Sequence, residues 1–156
     1  QARMAQDSVG GVVECRVNGV ETGLGEPFFD SAESLIAHLL FSVPAVKGVE
    51  FGDGFEVARK RGSQNNDCIC NAEGKTATNH AGGIVGGITN GNEIVVRAAV
   101  KPTASISREQ QTYNFENGAV EPLIIKGRHD VCIALRAAVV IESAIAIALA
   151  DLKLRA

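Results

Sequence analysis

At 156 residues, 46% of them hydrophobic and 21% charged, the chain has the length of one domain and enough apolar content for a core without disulfide or metal staples. A formal charge of -3, with six Phe, one Tyr and no Trp, excludes a general nucleic-acid surface, which needs a basic face and, for single strands, aromatic platforms. Four scattered cysteines, Cys15, Cys68, Cys70 and Cys132, do not make a secreted disulfide framework, so a reducing intracellular setting is the default.

Gln1 to Gln6 holds no apolar run of the signal-peptide kind, and a chain that starts at Gln1 in mid-pattern reads as a piece of something longer or a trimmed one. Val9 to Val20, with Val12, Val13, Cys15 and Val17 and the turn pair Asn18-Gly19, predicts a hairpin-edge strand. Gly23-Leu24-Gly25-Glu26-Pro27 breaks regular structure. Asp30 followed by Glu33 resembles a capping box, and Leu35, Ile36, Leu39, Leu40 and Val43 then recur on one helical face until Pro44 ends the helix. His38 reads as a partly exposed residue of that helix and not a ligand. Val49-Glu50-Phe51 is extended, Gly52-Asp53-Gly54 is a bulge or turn, and Phe55 to Ala58 is a second extended piece.

From Gly62 to His80 the apolar periodicity disappears under Gln64, Asn65, Asn66, Asp67, Asn71, Glu73, Lys75 and Asn79. A long polar loop is predicted, mobile, and either a surface excursion or a lid. Cys68-Ile69-Cys70 with His80 lacks the second pair that a zinc spacing requires, so no metal is assigned. Ala81 to Gly91 packs five glycines into eleven positions, where backbone must approach something closely. A close-packed strand and a cofactor floor are both compatible, but no nucleotide-binding glycine motif is present.

Glu93 to Lys101 is a strand by its β-branched content, and Pro102 holds Lys101 extended. Lys101-Pro102-Thr103-Ala104-Ser105 offers an ammonium and hydroxyls that can grip a phosphate or polar ring edge; a solvated turn is the alternative. Thr112 to Phe115 is a weak strand before the Asn117-Gly118 turn. Lys126-Gly127-Arg128-His129-Asp130 precedes the longest apolar stretch, so Arg128 and a helix N-terminus can hold a phosphate or oxyanion there, while Asp130 is either an N-cap or a functional carboxylate. The final helix is predicted from about Val131 to Leu154, apolar round most of its circumference and therefore buried between layers. Arg136 and Glu142 interrupt it too soon for a membrane span.

Pro44-Ala45-Val46-Lys47-Gly48-Val49-Glu50-Phe51-Gly52-Asp53-Gly54-Phe55, then Asn79-His80-Ala81-Gly82-Gly83-Ile84 with Gly86-Gly87-Ile88, then Lys101-Pro102-Thr103, then Gly127-Arg128-His129-Asp130 stand in one order. In that order they resemble the C-terminal part of chorismate synthase, over about Asp7 to Leu154. The resemblance implies an α+β fold, antiparallel sheets packed with helices as one half of that family's pseudo-symmetric sandwich, filling 1–156. It implies a cytoplasmic lyase, or a plastid one in a plant-like source, of the shikimate route to aromatic amino acids. The reaction is an anti-1,4 elimination of phosphate from 5-enolpyruvylshikimate 3-phosphate that needs reduced FMN without net redox change. Carried over by position, Ala45, Gly86, Lys101, Pro102, Thr103, Ala104, Ser105 and Arg128 would contact FMN. Arg128 would also reach the substrate, and Asp130 would manage a proton on the flavin ring.

Three departures accompany the resemblance. The family usually has proline where Val131 and Val139 stand, which leaves the last helix less constrained at its entry, and serine is common where Ala104 stands. The family's N-terminal half, with its Gly-Glu-Ser-His motif, second catalytic histidine and arginine-rich contacts, is absent, and His38, His80 and His129 do not match its histidines. The expected partners are therefore further copies, as in the family's homotetramer, or a chain supplying the missing half. The other reading is a non-catalytic fragment or paralogue that binds flavin or a partner subunit. Exposed apolar surface is expected wherever the other half would pack.

Overall fold

The computed structural model describes residues 1–156. In chain order it contains β1 (Gly11–Val17), α1 (Ala32–Ser42), β2 (Val46–Phe51), the short α2 (Gly62–Asn65), β3 (Ile84–Val85), β4 (Ile88–Thr89), β5 (Ile94–Val100), β6 (Gln110–Asn114), β7 (Ala119–Leu123) and α3 (Ala134–Arg155). Antiparallel pairing around β5 sets the frame: the main sheet runs β1-β5-β2, with Gly11 opposite Val100 and Phe51 opposite Val96. Because β5 lies between β1 and β2, the unit β1-α1-β2 is a split crossover. β3-β4 and β6-β7 are separate two-stranded ribbons.

The central strand buries Ile94, Val96, Ala98 and Val100 on its inner face, whereas on its outer face only Val95 is buried and Ala99 is exposed. β1 alternates instead, turning Val13, Cys15 and Val17 toward the helices and Val12, Glu14 and Arg16 outward. On the outer face Arg97 bridges two strands, 2.6 Å from Glu50 and 3.4 Å from Glu14. Against the inner face α1 and α3 pack through Ile36, Leu40, Ile141, Ile145 and Leu152. Each fully buried Ile or Leu contributes about 1.5–3 kcal/mol. Burial, with a smaller push from Glu142, raises the Cys15 thiol, so this cysteine is a packing residue.

The α+β arrangement with antiparallel sheets stands as expected, and several local expectations are corrected. The cap of α1 is Ser31, not Asp30: its hydroxyl accepts the Ser34 N–H at 3.1 Å, while Asp30 closes a preceding 3-10 turn. Ser31→Ala is expected to cost about 1 kcal/mol, readable as an earlier midpoint in urea unfolding. Phe55 to Ala58 is not extended. Glycines at φ 54° and 55° on either side of Asp53 turn the chain, and Glu50 accepts the Phe55 N–H at 3.3 Å, starting a 3-10 turn over Gly54–Arg59. β1 is an edge strand, but it pairs with β5, and Asn18-Gly19 leads into a long connection instead of a hairpin.

β7, which contains Pro122, is a strand not foreseen from sequence. In a two-stranded ribbon each strand keeps a free edge, so a missing N–H is tolerated. The last helix begins at Ala134, with Ile133 as a cap that makes no side-chain bond, so Asp130 is not its N-cap. Nor is it buried between layers. Ala134, Ile141, Ile145, Ala148 and Leu152 face the core, while Leu135 and Leu154 are 82% and 86% exposed and Val139 and Ile147 are also open. Only one layer of this chain exists to cover a helix that is apolar on two sides. Beside it, β1 presents an unpaired edge, and the two enclose a groove lined by Val13, Cys15, Val17, Leu135, Val139 and Leu149. No helix is long and apolar enough to cross a membrane.

Candidate functional site

Three loops meet at the Val100 end of β5. Ala45 sits in the left-handed region at φ 75°, a position that costs a non-glycine residue about 1–2 kcal/mol, and its carbonyl accepts the Lys101 N–H at 2.9 Å. Just ahead of β1, the Ser8 hydroxyl donates to the Thr103 carbonyl at 2.6 Å, and the Val9 N–H donates to the Val131 carbonyl at 2.8 Å. Segments 7–10, 101–107 and 127–131 are thereby drawn into one wall.

Between them lies a polar groove of about 380 Å³ whose lining includes Arg3, Ser8, Ser105, Arg128, His129 and Asp130. Asp130 Oδ2 is held 2.9 Å from Arg136 Nη1, which leaves Oδ1 without an ion-pair partner. Arg128 and Lys101 are exposed and make no ion pair. Of the three buried side-chain polar atoms without a hydrogen-bond partner, His129 Nε2 belongs to a residue of the lining and Thr103 Oγ1 to the segment that leads into it. An unsatisfied buried polar atom costs about 1–3 kcal/mol, so a ligand that supplies the missing partners recovers that penalty. The Arg128 cation, the Ser8, Ser105 and Ser107 hydroxyls and the unpartnered His129 Nε2 in one concavity suit an anionic, oxygen-rich ligand. They fit a flavin phosphate and polar ring edge better than an apolar molecule.

The structure thus brings together Ala45, Lys101, Pro102, Thr103, Ala104, Ser105, Arg128 and Asp130 at one end of the sheet. Gly86 does not join them. It lies at the tip of the β3-β4 hairpin, where Gly86 and Gly87 both take positive φ, and the Gly87 carbonyl accepts the Ala32 N–H at 2.8 Å. That anchors the tip near the start of α1, whereas Ala45 follows its end, so the two are separated by the length of α1, about 16 Å. A side chain added at Gly86 would meet nothing within 4 Å, so its backbone is open, whereas one at Gly87 would press on Ser31. The glycine-rich stretch therefore serves packing at Gly87 and leaves an accessible surface at Gly86.

Sequence reasoning passed over Ser8, Arg3 and His129. For Ser8 no local signal existed, since its partner Thr103 is ninety-five residues away. His129 stands inside the singled-out pentapeptide, but that its Nε2 is buried without a partner is visible only in three dimensions. Val131, where proline was expected to stiffen the helix entry, is fixed instead through its carbonyl to Val9.

The family model described as chorismate synthase matches residues 1–154. A chorismate synthase of Chitinophaga pinensis is 63% identical over 150 residues, covering 96% of this chain and 45% of that protein. One of Archaeoglobus fulgidus is 54% identical over 147 residues, covering 93% of this chain and 41% of that protein. A solved structure, titled as the crystal structure of chorismate synthase, superposes with a TM-score of 0.78 at 36% identity, covering 99% of this chain and 40% of that one. The chain spans less than half the length of these relatives.

Proposed function

This chain belongs to the chorismate synthase family, and from that premise we propose that it supplies one wall of a site for reduced FMN and 5-enolpyruvylshikimate 3-phosphate. The reaction served is the anti-1,4 elimination of phosphate to give chorismate. The observation that carries this reading is the meeting of Ser105 with the Gly127-Arg128-His129-Asp130 segment in one polar groove, in which His129 Nε2 has no hydrogen-bond partner. Reduced FMN, when bound, supplies transient electron density to the substrate as phosphate departs.

Within that scheme each role belongs to a residue of this chain. Lys101 and Arg128, free of carboxylate partners, neutralise phosphate oxygens, Arg128 also reaching the substrate. Thr103 and Ser105 hydroxyls and the Ala45, Pro102 and Ala104 backbone line the ring edge. Asp130, oriented through Oδ2 by Arg136, uses Oδ1 to hold a proton shared with the flavin ring. Gly86, at the far end of α1, would touch a ligand that extends there or one bound by a second copy in a homo-oligomer such as a tetramer.

In this reading the N-terminal portion of the family would pack against the open face of α3 and the free edge of β1; the apolar side chains exposed there support it. That portion would bring the histidines this chain lacks. The second reading is a non-catalytic piece that binds flavin or docks on a partner. Adding the N-terminal portion of a relative separates the two: recovered turnover supports the enzyme, and binding without turnover supports the second.

For the site itself, reduced FMN titrated anaerobically into the chain is the direct test. Lys101→Ala and Arg128→Ala are each expected to weaken binding about 10- to 100-fold, the value of one lost charge-assisted hydrogen bond. Unchanged affinity in both would remove FMN from this groove.

A further inference from the structure

His80, at the entrance to the glycine hairpin, is surrounded by acceptors. Its Nδ1 lies 3.0 Å from Asp67 Oδ1 and 3.1 Å from the Asn65 carbonyl, and its Nε2 lies 3.9 Å from Asp53 Oδ2. A carbonyl and an ionised carboxylate cannot donate, so Nδ1 carries the hydrogen. A neutral ring then turns a bare lone pair on Nε2 toward Asp53. Only the charged ring offers an N–H in both directions.

The other charged groups around it are accounted for. From the 52–60 segment come Asp53 and Lys60, which are paired with each other; from β5 comes Arg97, which donates to the Gly52 carbonyl and pairs with Glu50. From the polar excursion comes Asp67, whose side chain is 8% exposed. Burial works against its charged form, but it accepts from the Ala81 N–H at 3.0 Å, the Thr78 hydroxyl at 2.7 Å and the His80 N–H at 2.9 Å, which together hold its carboxyl below the usual range. Asp67 therefore remains an acceptor through neutral pH. The main chain is tied in the same place, with the Asp53 N–H donating to the His80 carbonyl at 2.8 Å and the Val95 N–H to the Gly82 carbonyl at 3.2 Å.

We infer that His80 is a protonation-dependent latch: charged, it clamps the 62–78 excursion through Asp67 to the 52–60 turn through Asp53, and so positions the entrance of the hairpin that carries Gly86. When the ring loses its proton the arm to Asp53 fails and the attraction to Asp67 weakens. The latch is thus closed while the ring is charged and loosens when its proton is lost.

Hydrogen exchange of the intact 156-residue chain tests this, with rates corrected for the intrinsic pH dependence and α1 peptides as the internal reference. Between pH 5 and pH 8, protection of peptides within 62–78 is expected to fall about three- to tenfold relative to α1, the scale of one or two partly exposed ion pairs. His80→Gln should be weakly protected at both pH values, and His80→Arg, which keeps its charge, should stay protected at both. A flat wild-type profile, or the wild-type pH dependence surviving in His80→Gln, would overturn the inference. If a substitution lowers α1 protection too, the wild-type ring is followed by NMR through its Cε1 proton: a titration midpoint shared with the exchange transition supports the latch, and a different one rejects it. None of these readouts depends on flavin binding or turnover.

Discussion

Asp130→Asn, assayed after this chain is joined to the N-terminal portion of a relative, is expected to lower turnover about 100- to 10,000-fold, the range of a lost general acid or base, with FMN affinity little changed. Asparagine keeps the size of the carboxylate and still offers Arg136 a carbonyl oxygen in place of Oδ2, 2.9 Å away, but it cannot take up a proton. Arg136→Ala is the comparison. It leaves the carboxylate in place and removes only its orientation, so the loss should be smaller and should appear in turnover before it appears in binding. Turnover within a few-fold of the parent in Asp130→Asn would assign the proton to another group and reduce Asp130 to a partner for Arg136.

Gly52→Ala is expected to be the most damaging single-methyl change in the chain, costing about 3–5 kcal/mol of a total that is about 5–15 kcal/mol for a domain of this kind. Gly52 is buried at φ 54°, and an added methyl would overlap the His80 carbonyl oxygen and crowd the Gly82 N–H. Neither obstacle is the end of a flexible side chain, so relief requires moving the backbone that carries the hairpin. Two other glycines separate the causes. Gly86→Ala meets open space at φ 61° and should cost only the left-handed penalty of about 1 kcal/mol. Gly62→Ala, open and at ordinary φ in the first turn of α2, should be neutral or stabilising by a few tenths of a kcal/mol. Thermal unfolding of the three variants measures the series. Equal losses at Gly52 and Gly86 would show that backbone conformation alone, and not the close approach, sets the cost.

The elements that could be read from the chain are those whose signals are local. The β-branched run Ile94 to Val100 and the apolar spacing of Leu35, Ile36, Leu39 and Leu40 each report their own conformation within one window, and both elements formed where expected. Errors fell where competing local signals or neighbours decided. Asp30 and Ser31 are both capping types, and only the geometry shows that Ser31 makes the bond. β7 was missed because Ala119 to Leu123 contains Pro122 and has no strong strand pattern, and nothing in the sequence says that it would have a single partner.

Periodicity and β-branched content by themselves marked the helix that ends at Pro44 and the strand within Glu93 to Lys101, and the ordered motifs, through the family they resemble, carried the α+β fold and singled out the segments around Ala45, Lys101 and Arg128. Only the tertiary structure decided that these three meet, that Gly86 lies at the other end of α1, that Ser8 and His129 complete the groove, and that α3 is covered on one side. The physical reason is the range of the interactions involved. Conformational preference acts between residues a few positions apart, whereas the groove is closed by pairings such as Gly11 with Val100 and Ser8 with Thr103, which no window of sequence contains. An apolar helix face, likewise, states that it must be buried but not against what. That depends on which other layers are present, and this chain contains only one of them.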